Sequence, residues 1–220
     1  MFDVRLFRGL REPYKTAQLL GKAEKISGFW KRLILLLVIT LILASIESIF
    51  GIGNDILSKE LNNLSNTGFE ATKSLFAIGQ IIRVLIEALL IITIPSLFFW
   101  ALSDKEWKKF MVVQQYVLVL FLLEKLLLLP FAVFLGLTAE VSNPFSLGII
   151  GQYFTNNEFI LLCLAQISIF KIWAVILQFK YMKELIESTA KRAALYVIGF
   201  NIVILLIVTF FTMMDLEKLL

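Results

Sequence analysis

Histidine is absent from the 220-residue chain, and cysteine occurs once. Without histidine, the chain holds no Ser-His-Asp or Cys-His catalytic site and no histidine-ligated metal site. A single cysteine forms neither an intramolecular disulfide nor a CxxC motif. Eleven glycines and four prolines are too few for a collagen-like or low-complexity chain. We therefore predict a non-enzymatic protein that uses no cofactor and no metal.

Charged residues are also scarce, at 17% of the chain, whereas apolar residues make up 59%. Soluble globular domains contain about 25% charged and about 45–50% apolar residues. The chain therefore has too little polar material to cover its surface in water. Together with a mean hydropathy of +0.86, this composition indicates a protein that folds in a lipid bilayer.

Five apolar stretches are each long enough to cross a bilayer core, which takes about 20 residues of helix. None of them alternates between apolar and polar residues, as transmembrane β-strands do. We predict an all-α, polytopic membrane protein that forms a bundle of five transmembrane helices. The predicted spans are approximately residues 30–50, 77–100, 110–137, 159–179 and 193–214. This domain, residues 30–214, would follow a basic arm (1–29) and precede a short external tail (215–220).

Basic residues outside the spans predict the orientation. Fifteen lysines and arginines lie in the arm and in the loops after the second and fourth spans, whereas three lie on the opposite side. Because loops rich in Lys and Arg stay in the cytoplasm, we predict a cytoplasmic N-terminus and an external C-terminus in the cell membrane. The net charge of +4 then marks a membrane face and not a nucleic-acid surface.

The cytoplasmic side is the expected contact surface for anionic lipid or for a membrane-protein partner, with a homo-oligomer as the alternative. The candidate contact residues are Arg5, Arg8, Arg11, Lys15, Lys183, Lys191 and Arg192.

Two segments outside the spans show patterns of their own. Pro13 opens a predicted amphipathic helix, which we expect to lie on the inner leaflet. Residues 141–157 carry no charge and contain the Asn143-Pro144 turn signal. We expect them to form an interfacial or re-entrant helix at the outer end of the bundle. Further along, Glu187 and Lys191 stand four residues apart, the spacing of a helical ion pair.

Six ionisable side chains fall inside the predicted spans: Glu47, Arg83, Glu87, Glu124, Lys125 and Lys171. Each would cost about 2.5–3.5 kcal/mol at a helix centre, so we expect them to pair. Arg83 and Glu87 share a helix face and could form an outer cluster with Glu47. The charges either line a hydrated path for a polar solute or fix helix packing. The lack of Gly/Pro interruptions at matched positions favours packing.

Four stretches resemble the Yip domain family, named for Ypt-interacting proteins. They are Asn143-Pro144-Phe145-Ser146-Leu147-Gly148, Ile169-Phe170-Lys171-Ile172-Trp173, STAKRAA at residues 188–194, and Trp107-Lys108-Lys109-Phe110 continuing to Tyr116. The second is similar to the family's F-x-I-W segment, and the third is similar to its basic turn into the last span. The resemblance covers residues 30–214 and implies a fold of five transmembrane helices.

The resemblance also implies a function. Eukaryotic members are implied to act in vesicle traffic through small GTPases and membrane-protein partners. The Lys-, Ile- and Asn-rich chain looks bacterial, and bacterial relatives are implied to be accessory or assembly subunits of membrane machines, including ABC-type exporters that handle peptides or toxins. We therefore expect a non-enzymatic adaptor or assembly subunit of a membrane complex. A small transporter or channel component that uses the intramembrane charges is the alternative.

Overall fold

The computed structural model describes residues 1–50, 52, 66–135 and 143–213, and in the third range it describes side chains from Ser74 onward. The elements are β1 (Phe2–Asp3), α1 (Leu6–Arg11), α2 (Pro13–Lys22), β2 (Ile26–Ser27), α3 (Phe29–Ile49), α4 (Asn66–Ala101), α5 (Trp107–Leu135), α6 (Gly148–Gly151), α7 (Glu158–Ala165), α8 (Ile169–Leu185) and α9 (Ala190–Met213). The predicted tail at 215–220 and the last residues of the third and fifth predicted spans lie outside these ranges.

Four of the described helices, α3, α4, α5 and α9, are long and apolar enough to cross a membrane. The chain is therefore an all-α, multi-pass membrane protein, and a two-residue parallel pairing of β1 with β2 is its described sheet. Helices α3, α5 and α9 begin and end within about three residues of the prediction. Helix α4 begins much earlier, at Asn66 instead of near residue 77.

The predicted fourth span, residues 159–179, is not one continuous helix. It is divided into α7 and α8 by residues 166–168. The N–H of Leu147 donates to the carbonyl of Ile167, and the N–H of Ile169 donates to the carbonyl of Phe145, both at 3.0 Å. The loop before α6 thus packs at the interruption, and its backbone groups make hydrogen bonds that a continuous helix would have made internally. At about 1.5 Å per residue, neither α7 nor α8 alone reaches across a bilayer core of about 30 Å.

Helix α5 lies at the centre of the bundle. Every residue from Lys109 to Leu120 is buried, so this part of the helix has protein on all sides. It packs against α3, α4 and α8, while α9 packs against α7 and α8 and stacks its Phe200 ring on Phe98 of α4 at 4.7 Å. Helices α4 and α9 leave many large apolar side chains exposed, as expected for surfaces that face lipid.

Candidate functional site

Three basic segments of the chain meet at one end of the bundle. The hydroxyl of Ser103, after α4, lies 3.4 Å from the carbonyl of Leu185 at the end of α8. Lys105 forms a 2.6 Å ion pair with Glu187 in the turn that follows α8. Lys109 at the start of α5 donates to the carbonyl of Gly21 in the arm, at 2.9 Å. The arm and the two basic loops therefore form a single face, which we call the basic end (residues 1–28, 101–109 and 186–192).

The arm is a folded cap on the basic end. The hydroxyl of Tyr181 in α8 donates to the carbonyl of Gly9 at 3.0 Å, and Nε of Arg32 in α3 donates to the carbonyl of Val4 at 3.0 Å. Gly9 lies so close to Tyr116 that a Cβ at this position would approach the ring carbons to 2.5 Å. Hydrogen bonds and close packing therefore fix the arm to three different helices of the bundle.

We expected the apolar face of α2 to lie on the membrane surface. The packing of α2 against the bundle corrects this expectation. The helix begins at Pro13, and its apolar side chains Ala17 and Leu20 are fully buried, with α8 as the neighbouring helix. Protein therefore covers the face that we expected lipid to cover. The apolar residues that the arm leaves open are others, chiefly Phe7, whose exposed fraction is 80%, and Leu19.

Most of the basic residues predicted as a contact surface are exposed at the basic end. Arg5, Arg8, Arg11 and Lys15 are exposed on the arm, and Lys191 and Arg192 are exposed at the start of α9, whereas Lys183 is half-buried. Their acidic neighbours are few and solvent-exposed: Arg5 lies 3.3 Å from Asp3, while Arg8 and Lys15 each lie 3.9 Å from Glu12. Exposed pairs of this kind contribute little stability, so these cations stay available to a partner.

Turn geometry at the basic end differs from the predicted helical pattern. Glu187 has a positive φ of 51° and ends the helical run after α8, so it does not form the i,i+4 pair with Lys191. The Lys105 ammonium beside it instead donates a hydrogen bond that holds the pKa of the Glu187 carboxyl below its usual range. The ion pair ties the two basic loops together.

Inside the bundle, Glu47 pairs with Lys125. Their carboxylate oxygen and ammonium nitrogen are 2.8 Å apart, and the two side chains are only 14% and 27% exposed. Glu47 therefore bridges α3 to α5, and the outer cluster that was expected to join it to Arg83 and Glu87 is divided. Arg83 and Glu87 pair with each other at 2.9 Å across one turn of α4, and both are mainly exposed.

Glu124 and Lys171 lie near the interruption between α7 and α8. The side-chain amide of Asn143 donates to Glu124 at 3.0 Å, and the Lys171 ammonium lies 5.3 Å from the centre of the Phe121 ring. Ser168 caps α8 by accepting the N–H of Lys171 at 3.0 Å. The structure thus places a carboxylate and an ammonium near a broken helix, and the break is the feature that sequence reasoning missed.

A largely buried ladder of side-chain amides connects α5, α8 and α9 between the basic end and Glu124. Gln178 of α8 donates to Gln114 of α5 at 3.0 Å, and Asn201 of α9 donates to Gln178 at 2.8 Å. Gln114 and Gln178 are both buried, so their side-chain amides depend on these bonds for partners. Side-chain amides that cross a bundle in this way fix the relative rotation of its helices.

Within the described ranges, no group of three or more His, Cys, Asp or Glu side chains could hold a metal ion. The arrangement offers ion pairing, hydrogen bonding and a basic surface. Comparison of the chain with family models, with curated proteins and with solved structures finds no match.

Proposed function

We infer that the protein is a non-enzymatic adaptor or assembly subunit of a larger membrane complex, which it contacts through the basic end. The observation that carries this proposal is the docked arm. It holds three exposed arginines and the exposed Phe7 ring on a surface that is fixed to the bundle. Aromatic and arginine side chains are enriched where proteins bind each other, and a rigid surface loses little entropy on binding.

The charges within the bundle support the same proposal. The buried Glu47 and Lys125 neutralise each other and join α3 to α5, which is a packing role. The amide ladder of Gln114, Gln178 and Asn201 likewise holds helices in register. A bundle stabilised in this way is a scaffold that can present a surface to another subunit.

We extend this proposal to topology and family. The broken pair α7–α8 would complete a fifth crossing, with the basic end in the cytoplasm of a bacterial cell and the C-terminus outside. The Yip-like stretches and a role beside an ABC-type exporter that handles peptides or toxins belong to the same proposal. Cysteine accessibility in intact cells tests the topology: with Cys163 replaced by Ser, a cysteine at Lys108 should be labelled only after the cells are permeabilised.

The partner experiment uses two matched variants. Phe7 and Phe134 have similar exposed fractions, 80% and 83%, but Phe134 lies near the far end of α5 from the basic end. The tagged chain is purified in mild detergent, and its associated proteins are quantified by mass spectrometry. A stoichiometric membrane-protein partner should be retained by Phe134→Ala and lost from Phe7→Ala. Recovery of the chain alone, or equal retention by both variants, would contradict the adaptor proposal.

One observation favours a transport component as the second candidate. Interrupted helices beside intramembrane charges are typical of ion and substrate sites in transporters, and α7 and α8 are separated next to Glu124 and Lys171. Solute or ion flux into vesicles reconstituted with the purified protein would support this candidate. It requires that Lys171→Met abolish the flux while the variant remains folded.

A further inference from the structure

We propose that a pocket in the arm binds the headgroup of an anionic phospholipid. The pocket has a volume of about 360 Å³ and lies between β1, α1 and α2. Arg5 and Arg8 line it from one side, and Leu19 and Lys22 line it from α2. This proposal does not rest on the adaptor proposal, although Arg5 and Arg8 belong to the surface used in both.

The charge of the pocket selects an anion. The lining includes three basic side chains, Arg5, Arg8 and Lys22, and one carboxylate, that of Asp3, while Glu12 lies 3.9 Å from Arg8 outside the lining. Arg5 contacts Asp3 through Nε at 3.3 Å, and both side chains are at least half exposed. A guanidinium has five N–H donors, so one long contact leaves Arg5 able to bind phosphate oxygens as well.

The walls of the pocket favour an amphiphile over a free phosphate ion. Phe2 and Ala23 are buried and form an apolar floor, and Leu19 is half-exposed at the rim. Inorganic phosphate gains nothing from apolar walls, whereas a phospholipid covers them with its glycerol and the first methylenes of its chains. The combination of cations and apolar surface therefore points to a lipid.

The pocket also lies next to the point where the chain enters the bilayer. Strand β1 pairs with Ile26 and Ser27, directly before α3, and Arg32 in the first turns of α3 donates to the carbonyl of Val4. Trp30, which marks the interface in this helix, is 65% exposed. Headgroups of the adjacent leaflet are thus within reach of the arm, whichever side of the cell that leaflet faces.

Lipid binding to the full-length protein in detergent micelles tests the proposal, with native mass spectrometry as the readout. Phosphatidylglycerol should bind more tightly than phosphatidylcholine. Arg8→Gln and Lys22→Gln should each weaken phosphatidylglycerol binding about fivefold, as expected for one basic residue at an anionic lipid surface. Lys31→Gln is the control, because Lys31 is an exposed lysine in the first turn of α3, outside the pocket and outside the predicted contact residues. Unchanged melting temperatures in phosphatidylcholine would show that the variants are folded.

Three outcomes would overturn the proposal. Equal losses in Lys31→Gln and Lys22→Gln would mean that diffuse charge, and not the pocket, attracts the lipid. Displacement of phosphatidylglycerol by millimolar inorganic phosphate would identify the free ion as the ligand. Binding of an acidic peptide that depends on Arg8 and Lys22, together with lipid binding that does not, would assign the pocket to a protein partner.

Discussion

The ion pair between Glu47 and Lys125 makes a strong prediction about stability. Replacing Lys125 by Met removes the ammonium that lies 2.8 Å from a carboxylate that is only 14% exposed. At an effective dielectric constant of 20, opposite unit charges at this distance attract by about 6 kcal/mol, and desolvation offsets part of that energy. Breaking a buried pair from one side costs about 3–5 kcal/mol, because the remaining charge loses its partner. We expect Lys125→Met to destabilise the bundle by about 3 kcal/mol.

Reversible unfolding of the purified protein in mixed micelles, with increasing SDS, measures this loss. A cost of about 3 kcal/mol lowers the folding equilibrium constant by about 150-fold. The double variant Glu47→Gln/Lys125→Met leaves no unpaired charge and should recover most of the stability. Lys108→Met, at an exposed lysine near the start of the same helix, should change stability by less than about 0.5 kcal/mol. The reasoning is refuted if Lys125→Met is as stable as Lys108→Met.

Two further predictions concern the basic end. Gly9→Ala should undock the arm and cost about 1–3 kcal/mol, since its Cβ would meet the buried Tyr116 ring; faster trypsin cleavage in the arm is the readout, and Gly79→Ala, with open space around the added carbon, should leave cleavage unchanged. Because the folded-state pKa of Glu187 is lowered, its ion pair should stabilise the protein above the ordinary glutamate pKa of about 4.3 and stop doing so as the pH falls through the lower, folded-state value. The melting temperature of Glu187→Gln should therefore fall below that of the unchanged protein at neutral pH and converge with it in acid; a constant difference down to pH 3 would refute the pairing.

The long apolar helices could be predicted because the length and composition of an apolar run are enough to indicate a helix that can cross a membrane. A run such as that of α5 is long and mainly apolar, so a helix buried in lipid or in a protein core follows from its residues. The start of α4 was harder, since Asn66 lies in a polar stretch that continues the helix beyond the apolar run. Polar residues at the end of a transmembrane helix extend it, but a hydropathy profile detects only the apolar run and does not show the extension.

The interruption at residues 166–168 depends on contacts that hydropathy does not record. Gln166 and Ser168 are single polar residues in an apolar run, where they could equally have bonded within a helix. The loop that carries Phe145 and Leu147 decides the outcome by supplying backbone partners from elsewhere in the chain. The site at Glu124 was predicted as a charged position, but its neighbour Asn143 follows from tertiary structure alone.

The covering of α2 by α8 has the same origin. An amphipathic pattern indicates that one face is buried but does not say by what, and lipid and protein are equivalent in this respect. The arm as a whole shows the same dependence, since Tyr116 and Tyr181 are distant in sequence and become neighbours of Gly9 in α1 only through the fold.

The arm's attachment also has a consequence for the order of biosynthesis. The hydrogen bond from Tyr181 to Gly9 joins groups 172 residues apart, so the arm, which is made before α8, gains this anchor only when α8 has been made. Until then the arm has its local strand pairing with Ile26 and Ser27 but lacks its final support. Complete docking of the arm therefore requires that α8 has been inserted, and a chain that is truncated before α8 or misinserted would leave this basic segment without its bond to Tyr181.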